Sequence, residues 1–177
     1  MWRLPESGET LGSRFRLPRV LGAGGSGVVF EAEDLELRQR VAVKIIHAHL
    51  AKPRTLERLR REVRVARGGH AHAVAVWDLH ESGGWRFLSM ELVEGTSLKE
   101  VLAAKGRLEV SEVIAIGRQA AEALAFFRAR GLVHRDIKPS NILVTRGGEG
   151  EVGGEVGAAT VKLCDMGLVR ALGACCA

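Results

Sequence analysis

The run His134-Arg135-Asp136-Ile137-Lys138-Pro139-Ser140-Asn141 sets a carboxylate, an ammonium and a carboxamide close together in one loop. Those groups suit phosphoryl transfer, which asks little covalent chemistry of a protein. It needs aligned reactants, neutralised charge and a group to take the hydroxyl proton. Asp136 can accept that proton, Lys138 can lie against a γ-phosphate, and Asn141 can ligate Mg2+ through its amide oxygen. Asp165-Met166-Gly167 follows the apolar run VKLC and offers a second metal ligand, Asp165, with a glycine that frees the backbone. An isolated triplet of this kind would carry nothing; its position just beyond a strand gives it meaning.

Gly22-Ala23-Gly24-Gly25-Ser26-Gly27 matches G-x-G-x-x-G. Residues without Cβ let backbone N–H groups approach phosphate oxygens, although the same run also serves a plain hairpin turn. A dinucleotide-binding fold requires a helix straight after the last glycine. Here VVFEAED follows, β-branched and alternating, so a second strand is expected and a dinucleotide site is not. Lys44 is the single charge in Val41-Ala42-Val43-Lys44-Ile45-Ile46. On a strand, Ala42 and Lys44 share a face, and Val41, Val43 and Ile45 take the other. Such a lysine could sit at a solvated edge. Placed 17 residues after Gly27 (44 − 27), it could also reach α- and β-phosphates from beneath the loop. A buried ammonium then needs a carboxylate. Glu62 lies between Leu59 and Ala66 on the inward stripe of a predicted helix over 55–67, whereas Glu57 falls away from it. Glu62 is therefore the expected partner, with a solvated charge as the alternative.

Residues 1–14 form a polar, irregular leader, and Phe15 to Phe30 reads strand, glycine turn, strand. VAVKII (41–46) is another strand, and the helix carries Leu56, Leu59, Val63 and Ala66 at steps of three, four and three. AVAVWDL and RFLSMEL are two further strands about the turn Ser82-Gly83-Gly84. After Val93 the pattern turns helical. Ser97 and Glu100 have capping-box spacing at the head of SLKEVLAAK, and Gly106 ends it. A longer helix is predicted from an N-cap at Ser111 to a stop at Gly131, with Val113, Ile116, Ala120, Leu124 and Phe127 on one face. A loop (132–141), a strand ILV, a Gly/Glu-rich surface loop (147–157), a strand VKLCD and a tail complete the chain. The class is α+β: an antiparallel sheet with one helix over 15–93, then a mainly helical part over 94–177, with a hinge near 91–95.

Bulk properties narrow the partners. The 177 residues are 46% hydrophobic and 27% charged, a globular composition. The net charge of +5 favours anionic ligands such as nucleotides. Its cations are spread along the chain and aromatics are only 5%, which argues against nucleic-acid binding. Cys164, Cys175 and Cys176 have neither zinc-site spacing nor the even count of a disulfide framework, which fits a reduced, cytosolic setting. A prenylation box would need cysteine where Ala174 stands. No apolar run reaches membrane-span length.

Taken in order, the glycine loop 22–27, VAVK 41–44, Glu62, MELVEG 90–95, HRDIKPSN 134–141 and DMG 165–167 resemble the eukaryotic-like (Hanks-type) serine/threonine protein kinases, particularly the bacterial ones, over about residues 15–170. The resemblance implies ATP and Mg2+ as cofactors, with protein serine or threonine as the phosphoryl acceptor. It also implies that Leu21, Val29, Ala42 and Leu143 enclose adenine, with Met90 as gatekeeper and the backbone of Glu91 and Val93 bonding the base. Lys138, two residues after Asp136, is similar to the serine/threonine rather than the tyrosine class.

Three departures stand out. Met166 replaces the usual Phe, and the stretch from Asn141 to Asp165 is lengthened by the Gly/Glu-rich insert. Only LVRALGACCA follows Gly167, without an A-P-E motif or a Ser, Thr or Tyr, so Arg135 lacks a phosphate to hold. The expectation is a kinase domain truncated in its large lobe. Its long helix, apolar also at Ile114 and Phe126, would be left without the helices that cover it in a complete kinase. Two functional expectations follow: a kinase transferring the ATP γ-phosphoryl group, or a truncated remnant that binds nucleotide or docks on a partner without turnover. The 177-residue chain alone is then expected to transfer little phosphate and to aggregate.

Overall fold

A computed structural model describes residues 4–145 and 160–165. They divide into two units, one of residues 4–68 and 75–92, the other of 69–74 and the described residues from Val93 onward. The expected surface loop at 147–157, Met166, Gly167 and the tail lie outside the described residues.

In the first unit, β-branched and aromatic residues at alternate positions produce extended strands with one buried face. These are β1 (Thr10–Leu11), β2 (Phe15–Gly24), β3 (Gly27–Asp34), β4 (Gln39–Ile46), β5 (Val76–Ser82) and β6 (Trp85–Met90). They form one antiparallel sheet in the order β1-β2-β3-β4-β6-β5. Leu17, Phe30, Val41, Val43, Ile45 and Phe87 fill its core. Burying each contributes about 1.5–3 kcal/mol. Gly83 and Gly84, with φ of 58° and 79°, make the left-handed two-residue turn between β5 and β6. Asp34 closes β3. It accepts Arg14 Nε at 3.0 Å and Nη2 at 2.7 Å, then the backbone N–H groups of Glu36 and Leu37 at 3.0 and 3.1 Å. α1 (Pro53–Ala66) opens on proline, whose fixed φ suits the first turn, and buries Leu56, Leu59, Val63 and Ala66. It packs on β5.

The leader departs from its expected irregularity. Thr10 and Leu11 pair with Arg16 and Phe15, and Leu11 is only 5% exposed. One apolar residue among polar neighbours has no periodicity, so only the sheet beside it makes it a strand.

The second unit contains α2 (Leu98–Lys105), α3 (Val110–Arg128) and a sheet in the order β7-β8-β9, where β7 is Gly95–Ser97, β8 Ile142–Thr145 and β9 Thr160–Leu163. The capping box is formed: Glu100 N donates to Ser97 Oγ at 3.2 Å and Ser97 N to Glu100 Oε2 at 3.0 Å. Gly106 ends α2 with φ 77°. α3 starts earlier than expected, capped at Glu109 instead of Ser111. The carboxylate of Glu112 decides this, accepting Glu109 N on one oxygen and Lys105 Nζ on the other, each at 2.9 Å. Val113, placed on the inner face by periodicity, is 54% exposed; Ile116, Gln119, Ala120, Ala123 and Phe127 form the buried face.

The strand expected from Ala73 begins instead at Val76, because residues 72–74 are drawn to β9. Leu163 N donates to His72 O and Val74 N to Leu163 O, both at 2.9 Å. Gln119 Oε1 accepts Val161 N at 2.8 Å, and His72 Nδ1 meets Val161 O at 3.0 Å. The side of β9 away from β8 is thereby satisfied by a loop, a histidine and a helix side chain. Among the described residues no helix is long and apolar enough to cross a membrane.

Candidate active site

In the first unit, β2 and β3 bring Gly22 opposite Val29, Ala23 opposite Val28 and Gly24 opposite Gly27, leaving Gly25 and Ser26 at the hairpin tip. The glycines differ in what holds them. A Cβ on Gly27 (φ 153°) would lie 2.0 Å from Ile45 O, so β4 approaches too closely for any side chain. Gly22, Gly24 and Gly25 have neither a positive φ nor any atom within 4 Å of a built Cβ. The fold demands glycine at one end of the loop; the other three satisfy no demand of this hairpin.

Register aligns the next group. Val29, Lys44 and Leu88 stand in one cross-strand row, and Glu31, Ala42 and Met90 in the next. Opposed residues share a face, so Val29, Ala42, Lys44 and Met90 all present to the same side of the sheet. Val41, Val43 and Ile45 go to the core. Lys44 is 4% exposed, which excludes the solvated-edge alternative. Glu62 is half-buried on α1 between buried Leu59 and Ala66. Leu21 sits at an irregularity in the β2–β3 register and is exposed. Glu91 N donates to Ala75 O at 2.9 Å. On the same face Glu31 is clasped by Arg19 Nε at 2.6 Å and Arg40 Nε at 2.9 Å. Arg40 first and Arg19 after it hold its carboxyl below the usual range.

In the second unit the loop before β8 gathers its chemistry by direct bonds. Lys138 Nζ donates to Asp136 Oδ2 at 2.8 Å. Asn141 Nδ2 donates to the same oxygen at 3.1 Å and to the Asp136 carbonyl at 2.8 Å. With its nitrogen so engaged, Oδ1 is the acceptor atom of the Asn141 amide. Cys164 N donates to Asn141 O at 3.0 Å, which puts Asp165 immediately beyond the residue tied to Asn141. Arg135 and Asp165 adopt left-handed backbones, φ 62° and 56°. Such conformations cost of order 1–3 kcal/mol and concentrate at functional sites. Leu143 is half-buried on β8, opposite Ser97 and Lys162.

Two residues carry structure that the sequence did not announce. His134 is 2% exposed and its Nε2 bonds Cys164 O at 3.0 Å; burial pushes its pKa down. Gly95, read only as part of a hinge-like run, leaves room for Val144 O, which a Cβ would meet at 2.6 Å. Chain spacing alone shows neither.

Residues 15–176 match the family described as protein kinase domain, and the chain belongs to it. The serine/threonine-protein kinase PknA of Mycobacterium tuberculosis (strain ATCC 25618 / H37Rv) is 39% identical over 177 residues, covering 96% of this chain and 38% of PknA. PknH of the same strain is 46% identical over 134 residues, covering 75% of this chain and 21% of PknH. The crystal structure of the M. tuberculosis PknI kinase domain is similar at a TM-score of 0.76 and 28% identity, over 94% of this chain and 64% of that one. The chain thus spans about two fifths or less of the length of these two curated relatives. What it contains is part of a serine/threonine-protein kinase domain of the bacterial type.

Proposed function

We propose that the chain binds ATP–Mg2+ and serves transfer of the γ-phosphoryl group to a serine or threonine hydroxyl of a protein. The observation that carries this is the bracket around Asp136, whose Oδ2 receives both Lys138 Nζ and Asn141 Nδ2. A carboxylate fixed in that way is oriented to take the hydroxyl proton, and Lys138 beside it is assigned to the γ-phosphate. Lys44, with Glu62 as its carboxylate partner, is assigned to the α- and β-phosphates. The backbone of Gly22, Ala23, Gly24, Gly25, Ser26 and Gly27 is assigned to covering them. That three of these glycines answer no need of the hairpin supports a ligand as the reason for them. Leu21, Val29, Ala42 and Leu143 are assigned to adenine, Met90 to the gatekeeper position, and Glu91 and Val93 to the base edge.

Asn141 Oδ1 and the Asp165 carboxylate are hard oxygen donors of the kind Mg2+ takes beside substrate phosphates, so they fit the metal this family uses. When bound, Mg2+ would neutralise phosphate charge. A requirement for ATP favours a cytoplasmic setting, and the partner is assigned as protein, not nucleic acid.

The test is incubation of the purified chain with Mg2+ and γ-labelled ATP and a generic serine/threonine substrate. Transfer by this chain alone should be slow, and the label that does pass to the substrate should be lost in Asp136→Asn, while that variant still binds nucleotide. Transfer undiminished in Asp136→Asn would overturn the assignment. A second reading, nucleotide binding or partner docking without transfer, is favoured by Val113 and Ile114 on α3, exposed at 54% and 65%. It requires nucleotide-dependent stabilisation with no labelled product from the parent chain.

A further inference from the structure

The end of β4 grips both arms of the glycine hairpin, by two separate contacts. One is the close approach of Ile45 O to Gly27, which only a missing side chain allows. The other is the imidazole of His47, whose Nε2 lies 3.1 Å from Gly24 O. A carbonyl oxygen accepts, so Nε2 carries the proton and donates. The ring is itself held. Leu50 N donates to His47 O at 2.9 Å, fixing the backbone in a short 3-10 turn over Ala48–Leu50, and the ring of His49 stacks on it at 5.6 Å between centroids. Gly24 ends β2 and Gly27 starts β3, so the two contacts bracket the tip residues Gly25 and Ser26. Both contacts come from the strand end that carries Lys44.

We infer that His47 is a positioning residue for the phosphate-binding loop, registering Gly24–Gly27 to the strand of Lys44 through its Nε2–H···O bond. This rests on the nucleotide reading above. Glycines confer close approach but surrender backbone order, so a loop of this composition reaches one conformation only if something outside it supplies the restraint. The Gly27 contact restrains one arm by exclusion. His47 restrains the other by a directed bond, so the tip residues Gly25 and Ser26 are held from both sides. The bond acts on the loop assigned to the phosphates, since its acceptor is Gly24 O and not a residue assigned to adenine.

The experiment compares Mg2+-ATP with adenosine, which lacks phosphates, binding to the parent chain, His47→Ala, His47→Gln and Lys44→Met. Amide hydrogen exchange of Gly24–Gly27 is followed in parallel without nucleotide. A hydrogen bond of this type contributes about 0.5–1.5 kcal/mol net, so His47→Ala should weaken ATP about 2- to 13-fold and leave adenosine unchanged. Loop exchange should quicken in His47→Ala, and His47→Gln, whose amide nitrogen reaches the same place, should restore both properties. Equal losses for ATP and adenosine, or quickened exchange with unchanged ATP affinity, would overturn the inference. If Lys44→Met loses ATP while His47→Ala does not, the inference fails and the nucleotide reading stands. A parent chain that binds ATP no better than adenosine removes both.

Discussion

The imidazole of His134 donates to the carbonyl oxygen of Cys164 at 3.0 Å, and so fastens the loop that carries Asp136 to the strand that leads into Asp165. The acceptor fixes the tautomer: Nε2 holds the proton, and Nδ1 faces the backbone N–H of Asp136 at 3.4 Å. Protonating Nδ1 would set two donors against each other inside the protein. Burial already opposes the charge, and the pKa of His134 is driven down from 6.5. His80, stacked on Phe87 and bonded to Ser89 Oγ at 2.8 Å, is shifted the same way by burial.

Stability should therefore fall in mild acid. A histidine whose folded pKa is depressed takes its proton more readily in the unfolded chain. Its contribution is complete above pH 6.5 and is lost as pH falls from 6.5 toward the folded value. The thermal midpoint should drop between about pH 7.5 and about pH 5.5, and a His80→Asn, His134→Asn chain should show a shallower slope. An equally steep profile in that double variant would contradict the assignment.

Gly27→Ala should destabilise the fold by about 1–3 kcal/mol, since Ile45 O must be displaced. Gly25→Ala, with open space around its Cβ, should melt close to the parent. The pair separates the hairpin's packing need from any ligand need. Nearly equal midpoints for the two variants would show that β4 gives way freely.

Removing the carboxylate at Asp34 should cost about 2 kcal/mol, because a nearly buried acceptor of four donors disappears. Arg14 first among its partners holds the Asp34 carboxyl below its ordinary 3.8. That contribution is present above pH 3.8 and is lost as pH falls through the depressed value. Asp34→Ala should thus lose stability at neutral pH while its acid unfolding becomes less steep. Urea melts at several pH values measure both.

Lys44→Met keeps the length of the buried stem and removes the charge. The melting temperature without nucleotide should stay near the parent's, while the rise on adding Mg2+-ATP should shrink. Identical nucleotide-induced rises in the two proteins would show that Lys44 does not meet the phosphates.

Where local rules act alone, the sequence was readable. Ser97 and Glu100 cap α2 because their bonds close within one turn, and Gly83-Gly84 turns because the hairpin needs left-handed residues there. The alternation in VAVKII placed Lys44 away from the core, and register then set it beside Val29. Readability failed where a distant partner decides. Glu109 outbids Ser111 as cap because Lys105, on another helix, holds Glu112 in place. Residues 72–74 leave the strand pattern for a partner about ninety positions later in the chain. Of the candidate site, residue identities and order were legible. The devices that aim them, His134 on Cys164 O and Gln119 on Val161 N, were not, since nothing within a few positions reveals them.

The treatment of β9 also bears on solubility. A strand at the margin of a sheet offers bare N–H and C=O groups to any other extended chain, and such margins seed aggregation. Here Gln119 takes the N–H of Val161, His72 takes its carbonyl through a ring nitrogen and Leu163 N through its own carbonyl, and Val74 takes the carbonyl of Leu163. The same bonds that lead β9 toward Asp165 leave that margin no vacancy at Val161 or Leu163 for a foreign strand.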